Sequence, residues 1–268
     1  MNYKSCLVLC VAFGYANLSY ATVTVFEPFN YGPAGSVVSG NGGGGSFGFS
    51  DNWHGDATVD LASGSLTSPV PFLSQSGNRV TAAAFGDNRG VERTLSQSIG
   101  ADNTTAYVSF LMQAEGVVGA GAYDGWFALA LRNGARQITI GKDSFHSQYK
   151  IEGLTNTDLA LTSVPVIANQ THLFVVRADF LPGNDVFRLY VDPPTNQPEP
   201  ASANATMTSF DLGNANVVGL TGPGAFGFDE LRIGSTWSDV TVPEPTSSML
   251  LLAGLVGPIF TARRRSLR

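Results

Sequence analysis

The stretch Leu173-Phe-Val-Val-Arg-Ala-Asp-Phe180 alternates with a period of two. Phe174, Val176, Ala178 and Phe180 fall on one face; Leu173, Val175, Arg177 and Asp179 fall on the other. Leu181-Pro-Gly-Asn-Asp185 follows, a run of turn-forming residues. The chain then returns with Phe187, Leu189 and Val191 on one face and Val186, Arg188 and Tyr190 opposite. A hairpin with one oily and one mixed face needs a second sheet over its oily side. The pattern therefore predicts an all-β fold, a two-sheet antiparallel sandwich. Phe174, Val176, Phe180, Phe187 and Leu189 are expected between the sheets, with Arg177 and Arg188 outside.

Further strand-like runs surround this hairpin. In Phe226-Gly-Phe-Asp-Glu-Leu-Arg-Ile-Gly234, Asp229, Leu231 and Ile233 alternate against Phe228, Glu230 and Arg232. That parity places Leu231 in the core, Asp229 inward against backbone donors, and Glu230 and Arg232 outside. Thr22–Phe26, Arg79–Phe85, Ala106–Gln113, Gly125–Leu131, Gln137–Gly141 and Ser144–Ile151 read as strands bounded by Gly, Asn or Asp. No helical pattern of ordinary length precedes the C-terminal tail, and no repeat of 20–50 residues is visible. Gly40-Asn-Gly-Gly-Gly-Gly-Ser46 reads as a surface loop and lacks the lysine of a phosphate loop. The stretch from Asp192 to Asn216, with Pro193, Pro194, Pro198 and Pro200, reads as an extended excursion within one domain spanning 22–240.

Composition agrees with a β protein working outside the cell. Charged residues make up 13% of the 268, and glycine numbers 31, against usual shares of roughly 25% and 7%. Residues 1–21 read as a signal peptide: Lys4, an apolar run from Cys6 to Phe13, and Ser19-Tyr20-Ala21 as the cleavage site. Both cysteines, Cys6 and Cys10, lie in that segment, so the remainder has no thiol chemistry. Residues 242–268 hold three unlike parts in order: Val242-Pro243-Glu244-Pro245, an apolar run from Ser247 to Ala262, and Arg263, Arg264, Arg265 and Arg268. The run is short for a membrane span of roughly 20 residues. The arginines form a cytoplasmic stop, and the prolines keep the tetrapeptide extended. Of 15 Lys and Arg, Lys4 and the four tail arginines lie in these two segments. Of 21 Asp and Glu, only Glu244 does. The body thus carries about −10, which argues against nucleic acid or an anionic membrane as partner.

The tail resembles the PEP-CTERM sorting signal that exosortases recognise in Gram-negative bacteria. That resemblance implies an exosortase-type membrane protease as partner, transient anchoring in the inner membrane, and delivery to the outer envelope, cell surface or extracellular matrix. The body resembles the concanavalin A-like lectin/glucanase superfamily, and within it laminin-G-like jelly rolls. The likeness rests on Val25-Phe-Glu-Pro-Phe-Asn-Tyr31, the hairpin, Phe226–Gly234 and Thr236-Trp-Ser-Asp-Val240. It implies a jelly roll and brings glycan chemistry into view.

The jelly-roll glucanases carry Glu-x-Asp-x-(x)-Glu along one strand, which sets paired carboxylates on one cleft wall. No such run occurs here, and Asp229-Glu230 are adjacent, so no catalytic residue is assigned. His54, His146 and His172 are isolated and read as loop or strand-surface residues. Calcium fits the laminin-G-like resemblance, with Asp124, Asp185 and Asp192 near turns, although aspartates there usually cap backbone N–H groups. For glycan binding, the mixed hairpin face offers Arg177, Asp179, Arg188 and Tyr190. Trp126, opposite in parity to Phe127, Leu129 and Leu131, is expected to face the same side. The same charges also read as an ordinary cross-strand ladder. The expectation is a non-catalytic envelope or matrix protein with exopolysaccharide as candidate ligand. A glycan-active enzyme with a divergent site and a purely structural envelope protein are the alternatives.

Overall fold

A computed structural model describes residues 23–71, 75, 77–82, 89–116, 125–153 and 158–242. The signal peptide, Pro243–Pro245, the terminal arginines and Asp124 lie outside the described residues. The elements are β1 (Val23–Glu27), β2 (His54–Gly55), β3 (Val59–Ala62), β4 (Arg79–Ala82), β5 (Arg89–Ile99), β6 (Thr104–Ala114), β7 (Phe127–Asn133) and β8 (Arg136–Lys142). They continue with β9 (Gln148–Gly153), β10 (Leu159–Pro165), β11 (Thr171–Phe180), β12 (Val186–Val191), β13 (Ala205–Met207), β14 (Ala215–Gly222), β15 (Phe226–Gly234) and α1 (Trp237–Thr241).

Two antiparallel sheets pack face to face. One runs β13-β12-β11-β6-β15-β4-β3, with β1 also on β15; the other runs β10-β9-β8-β7-β14-β5-β2. The hairpin β11–β12 pairs in the register its sequence implies, Val176 opposite Leu189 and Ala178 opposite Phe187. Its oily face lies between the sheets: Phe174, Val176, Phe187 and Leu189 are 0% exposed, and Phe180 and Leu231 are 1%. Phe110 stacks on Phe174 at 5.3 Å, and Tyr149 of the other sheet meets Phe174 edge-on at 4.9 Å. Ring contacts of this kind tie the two layers across one core.

Three expectations are corrected. Glu230 and Arg232 are buried. The register slips between Asp229 and Arg232, and Glu230 takes φ 53°, so a β-bulge reverses the parity midway along β15. Phe226 and Phe228 therefore share the core with Leu231 and Ile233, while Asp229 points to the opposite face. Asp229 is nevertheless fully buried and accepts from Leu66 N at 2.8 Å, Glu230 N at 2.8 Å and the Ser65 hydroxyl. Arg232 meets Glu230 at 2.8 Å and lies over the Phe26 ring. His172, expected near the surface, is 3% exposed. The excursion after Asp192 contains a strand, β13, whose Ala205 and Met207 pair with Leu189 and Phe187.

The mixed hairpin face is covered as well. Tyr107, Leu111, Leu173, Val175, Tyr190, Trp237 and Val240 form a second apolar cluster on the far side of that sheet. The lid is α1, begun by a Thr236/Asp239 capping box.

Candidate groove on the seven-stranded sheet

The expected glycan residues do not form one site. Arg177, Asp179, Arg188 and Tyr190 do come together on β11 and β12, but the protein itself occupies them. Asp179 accepts from Arg177 at 2.9 Å, Thr105 at 2.7 Å and Arg188. Glu199, from the proline-rich excursion, takes the hydroxyls of Tyr107 at 2.8 Å and Tyr190 at 2.6 Å and the Arg177 guanidinium at 3.1 Å. Tyr190 stands edge-on to Trp237 at 5.1 Å and is 3% exposed, so its ring offers no flat surface to a sugar. These contacts hold the Asp179 carboxyl below the usual range despite burial pressing it upward. The Tyr190 hydroxyl is pushed well up by burial and by Glu199. Trp126 precedes β7 and so belongs to the other sheet, which corrects the expectation that it shares the hairpin's side.

Around Trp126 the outer face of the seven-stranded sheet carries a groove of about 210 Å³. Registry places its lining residues Ala128, Thr139 and Glu152 within two rows that cross the sheet. Gly141, Ala128, Thr221 and Gly90 stand opposite one another on β8, β7, β14 and β5. In the next row Glu152, Thr139, Ala130, Gly219 and Glu92 do the same. The small residues Ala128, Thr139, Ser144 and Gly153 leave a shallow trough beside Trp126, because alternate positions on these strands turn inward to the core; on β14 and β5 the Arg132 side chain lies over Gly219 and meets Glu92. At Gly141 a Cβ would come within 2.1 Å of Phe127 O, so that position admits no side chain.

The groove's lining combines rings with polar groups. Trp126 is half-buried, and Phe145 is 66% exposed. Gln137, Thr139, Asp143, Lys150 and Glu152 supply donors and acceptors. Asp143 accepts from the N–H groups of Phe145 at 2.9 Å and His146 at 2.7 Å, and its other oxygen meets His146 Nδ1 at 2.7 Å. Burial presses the Asp143 carboxyl upward, but these bonds and Lys150 together hold it below the usual range. The Lys150 ammonium rests against Glu152. Burial, with Lys142 alongside, pushes Lys150 down, while Asp143 pulls it back. The sequence marked Ser144–Ile151 as a strand without singling out Lys150 or Glu152. It did not show that the turn at 143–147 folds Asp143 and Phe145 back beside Trp126.

A second recess, of about 270 Å³, lies where β1 meets the end of β15. Thr24, Ser96, Ser98, Thr104 and Thr105 line it, with no aromatic ring or ionisable side chain. Among the described residues no three His, Cys, Asp or Glu side chains gather as a cation cage. Asp185 accepts from Leu181 N at 3.0 Å and Leu212 N at 2.9 Å, and Asp192 accepts from Leu173 N at 2.8 Å. Both aspartates act as backbone caps.

Residues 241–265 match the PEP-CTERM protein-sorting motif. The chain carries a PEP-CTERM sorting signal. That motif marks an exported cell-envelope protein handled by an exosortase, and Val242–Pro245 falls within the matched residues. No curated protein sequence matches the chain. The sandwich is similar to the endo-1,3-beta-glucanase from Streptomyces sioyaensis, at 11% identity and TM-score 0.49, covering 79% of this chain and 95% of that one. It is also similar to the T. cruzi calreticulin globular domain, at 12% identity and TM-score 0.44, covering 70% and 86%. The carbohydrate binding module CBM66 from Bacillus subtilis aligns at 11% identity and TM-score 0.41, covering 68% and 95%. These likenesses concern the sandwich as a whole and do not identify a ligand.

Proposed function

We propose that this PEP-CTERM protein is a non-catalytic envelope or extracellular-matrix protein that binds exopolysaccharide in the groove beside Trp126. One observation carries the reading: an aromatic ring and a row of planar or hydroxylic groups flank a trough of small residues on a rigid sheet. A polysaccharide chain needs a flat apolar surface for its ring faces and fixed partners for its hydroxyls. The last described element, α1, and the groove also lie on opposite faces of the sandwich. α1 caps the outer side of the eight-stranded sheet, and the groove sits outside the seven-stranded one.

The carboxylates favour binding over hydrolysis. Asp143 is engaged by His146 and two backbone donors, and Glu152 by Lys150. A glycosidase needs one of two facing carboxyls protonated and the other available to attack or to activate water. The test is a glycan array on the purified body, beside Trp126→Ala and Phe145→Ala, with a reducing-sugar assay on every glycan bound. Binding should fall at least tenfold in Trp126→Ala, and no reducing ends should appear. Release of reducing ends would turn the reading to an enzyme. Full binding by both variants would remove the groove from it.

A further inference from the structure

The charged side chains of the groove are engaged with one another. Two carboxylates, Asp143 and Glu152, and one ammonium, Lys150, line it beside Trp126. Alternation along β9 turns Tyr149 and Ile151 into the core and sets Lys150 and Glu152 together on the outer face. Lys150 is 3% exposed, and its Nζ rests on Glu152. Asp143 gives one oxygen to the N–H groups of Phe145 and His146 and the other to His146 Nδ1. Two further cations stand close by, and each has partners. Lys142 is 0% exposed and donates from Nζ to Asp143 O at 2.8 Å. Arg132 donates from Nε to Gln137 at 2.9 Å and meets Glu92.

A sugar entering this groove meets two rings, the uncharged Gln137, Thr139 and Ser144, and two carboxylates against one ammonium. A hydroxyl can accept from the uncharged donors and can also donate to the remaining lone pairs of Glu152 and Asp143. An ionised sugar carboxylate can only accept. It would give up its water beside two like charges, and Lys150 could turn to it only by leaving Glu152 uncompensated. The hydrogen bonds that hold the Asp143 carboxyl below its usual range keep that charge in place. The body's charge of about −10 opposes the approach of a polyanion as well.

We infer that the groove selects uncharged polysaccharide and rejects uronate-bearing chains, with Glu152 and Asp143 setting that choice by repulsion. The inference rests on the groove being a polysaccharide site and adds the class of sugar it takes. Selection of this kind penalises the wrong ligand rather than tightening the right one.

The experiment uses the full-length protein and polysaccharide from the host envelope, split on an anion exchanger into uncharged and acidic fractions. The uncharged fraction is also tested after oxidation of its C6 hydroxymethyl groups to carboxylates, which keeps every linkage. Affinities come from fluorescence titration. The uncharged chain should bind, and its oxidised form should bind about tenfold more weakly or worse. Equal binding by the oxidised form, or preference for the native acidic fraction, overturns the inference alone and leaves a polysaccharide groove standing. Binding by none of them overturns both. Glu152→Gln removes one carboxylate and releases Lys150, so the gap between oxidised and uncharged chains should narrow by about threefold or more. Raising the salt concentration should narrow the same gap in the wild type by screening. A gap that neither change moves would show that charge in the groove does not set the choice.

Discussion

The half-buried Asp179 and the buried Asp229 are shifted in opposite directions. Asp179 is held below its ordinary range; burial presses upward, and Thr105, Arg177 and Arg188 more than offset it. An acid depressed in the folded state contributes stability that is complete above its unfolded value, about pH 4. That stability is lost as pH falls through the folded value. Denaturant midpoints below about pH 4 should therefore fall more steeply in the wild type than in Asp179→Asn, and parallel acid limbs would contradict the assignment. Burial raises Asp229 well above its usual range, with Glu230 adding to the effect. Its contribution thus declines as pH rises from about 4 toward the folded value. Asp229→Asn sets an amide NH₂ among the Leu66 and Glu230 N–H donors and should cost about 1–3 kcal/mol, read by urea denaturation at neutral pH. The need for backbone partners at Asp229 was legible from its place in an oily strand. Its face was not, because a bulge depends on Glu230 accepting a positive φ, which no alternation pattern reveals.

The hairpin was the most legible element. Strict alternation, a turn-rich pentapeptide and matched oily faces fixed both its register and its need for a second sheet. Phe187 meets Phe180 edge-on at 6.2 Å between the sheets and is 0% exposed. Phe187→Ala should cost about 3–5 kcal/mol, measured as a lower denaturant midpoint with an unchanged slope; a loss under 1 kcal/mol would mean the core collapses around the gap. α1 was not legible. Thr236-Trp-Ser-Asp-Val240 is too short for a helical period, and only the Thr236–Asp239 spacing of a capping box hints at it. Strands β5 and β14 were missed for a different reason. Their outward positions include Gly90, Gly219 and Thr221, residues of the kinds that elsewhere signal turns.

At the scale of the whole molecule, the chain is a sandwich with a different attachment on each outer face. One face is sealed by α1 and by Glu199 in its cradle of Tyr107, Tyr190 and Arg177, and it leads into the sorting signal. The other is open along the trough beside Trp126. The sandwich and the tail could be read from residue patterns. The groove could not, since it depends on which strands lie side by side, and Trp126 was expected on the hairpin's side for want of that order. Of the three tryptophans, Trp53 is 1% exposed and Trp237 is 7%, leaving Trp126 as the most accessible to a solution quencher. Acrylamide quenching of tryptophan fluorescence, with and without polysaccharide purified from the host envelope, therefore reports on the groove itself. Polysaccharide should protect the quenchable fraction in the wild type and have no effect in Trp126→Phe; quenching that no envelope polysaccharide alters, or protection that survives in Trp126→Phe, would contradict a sugar-binding groove on this face.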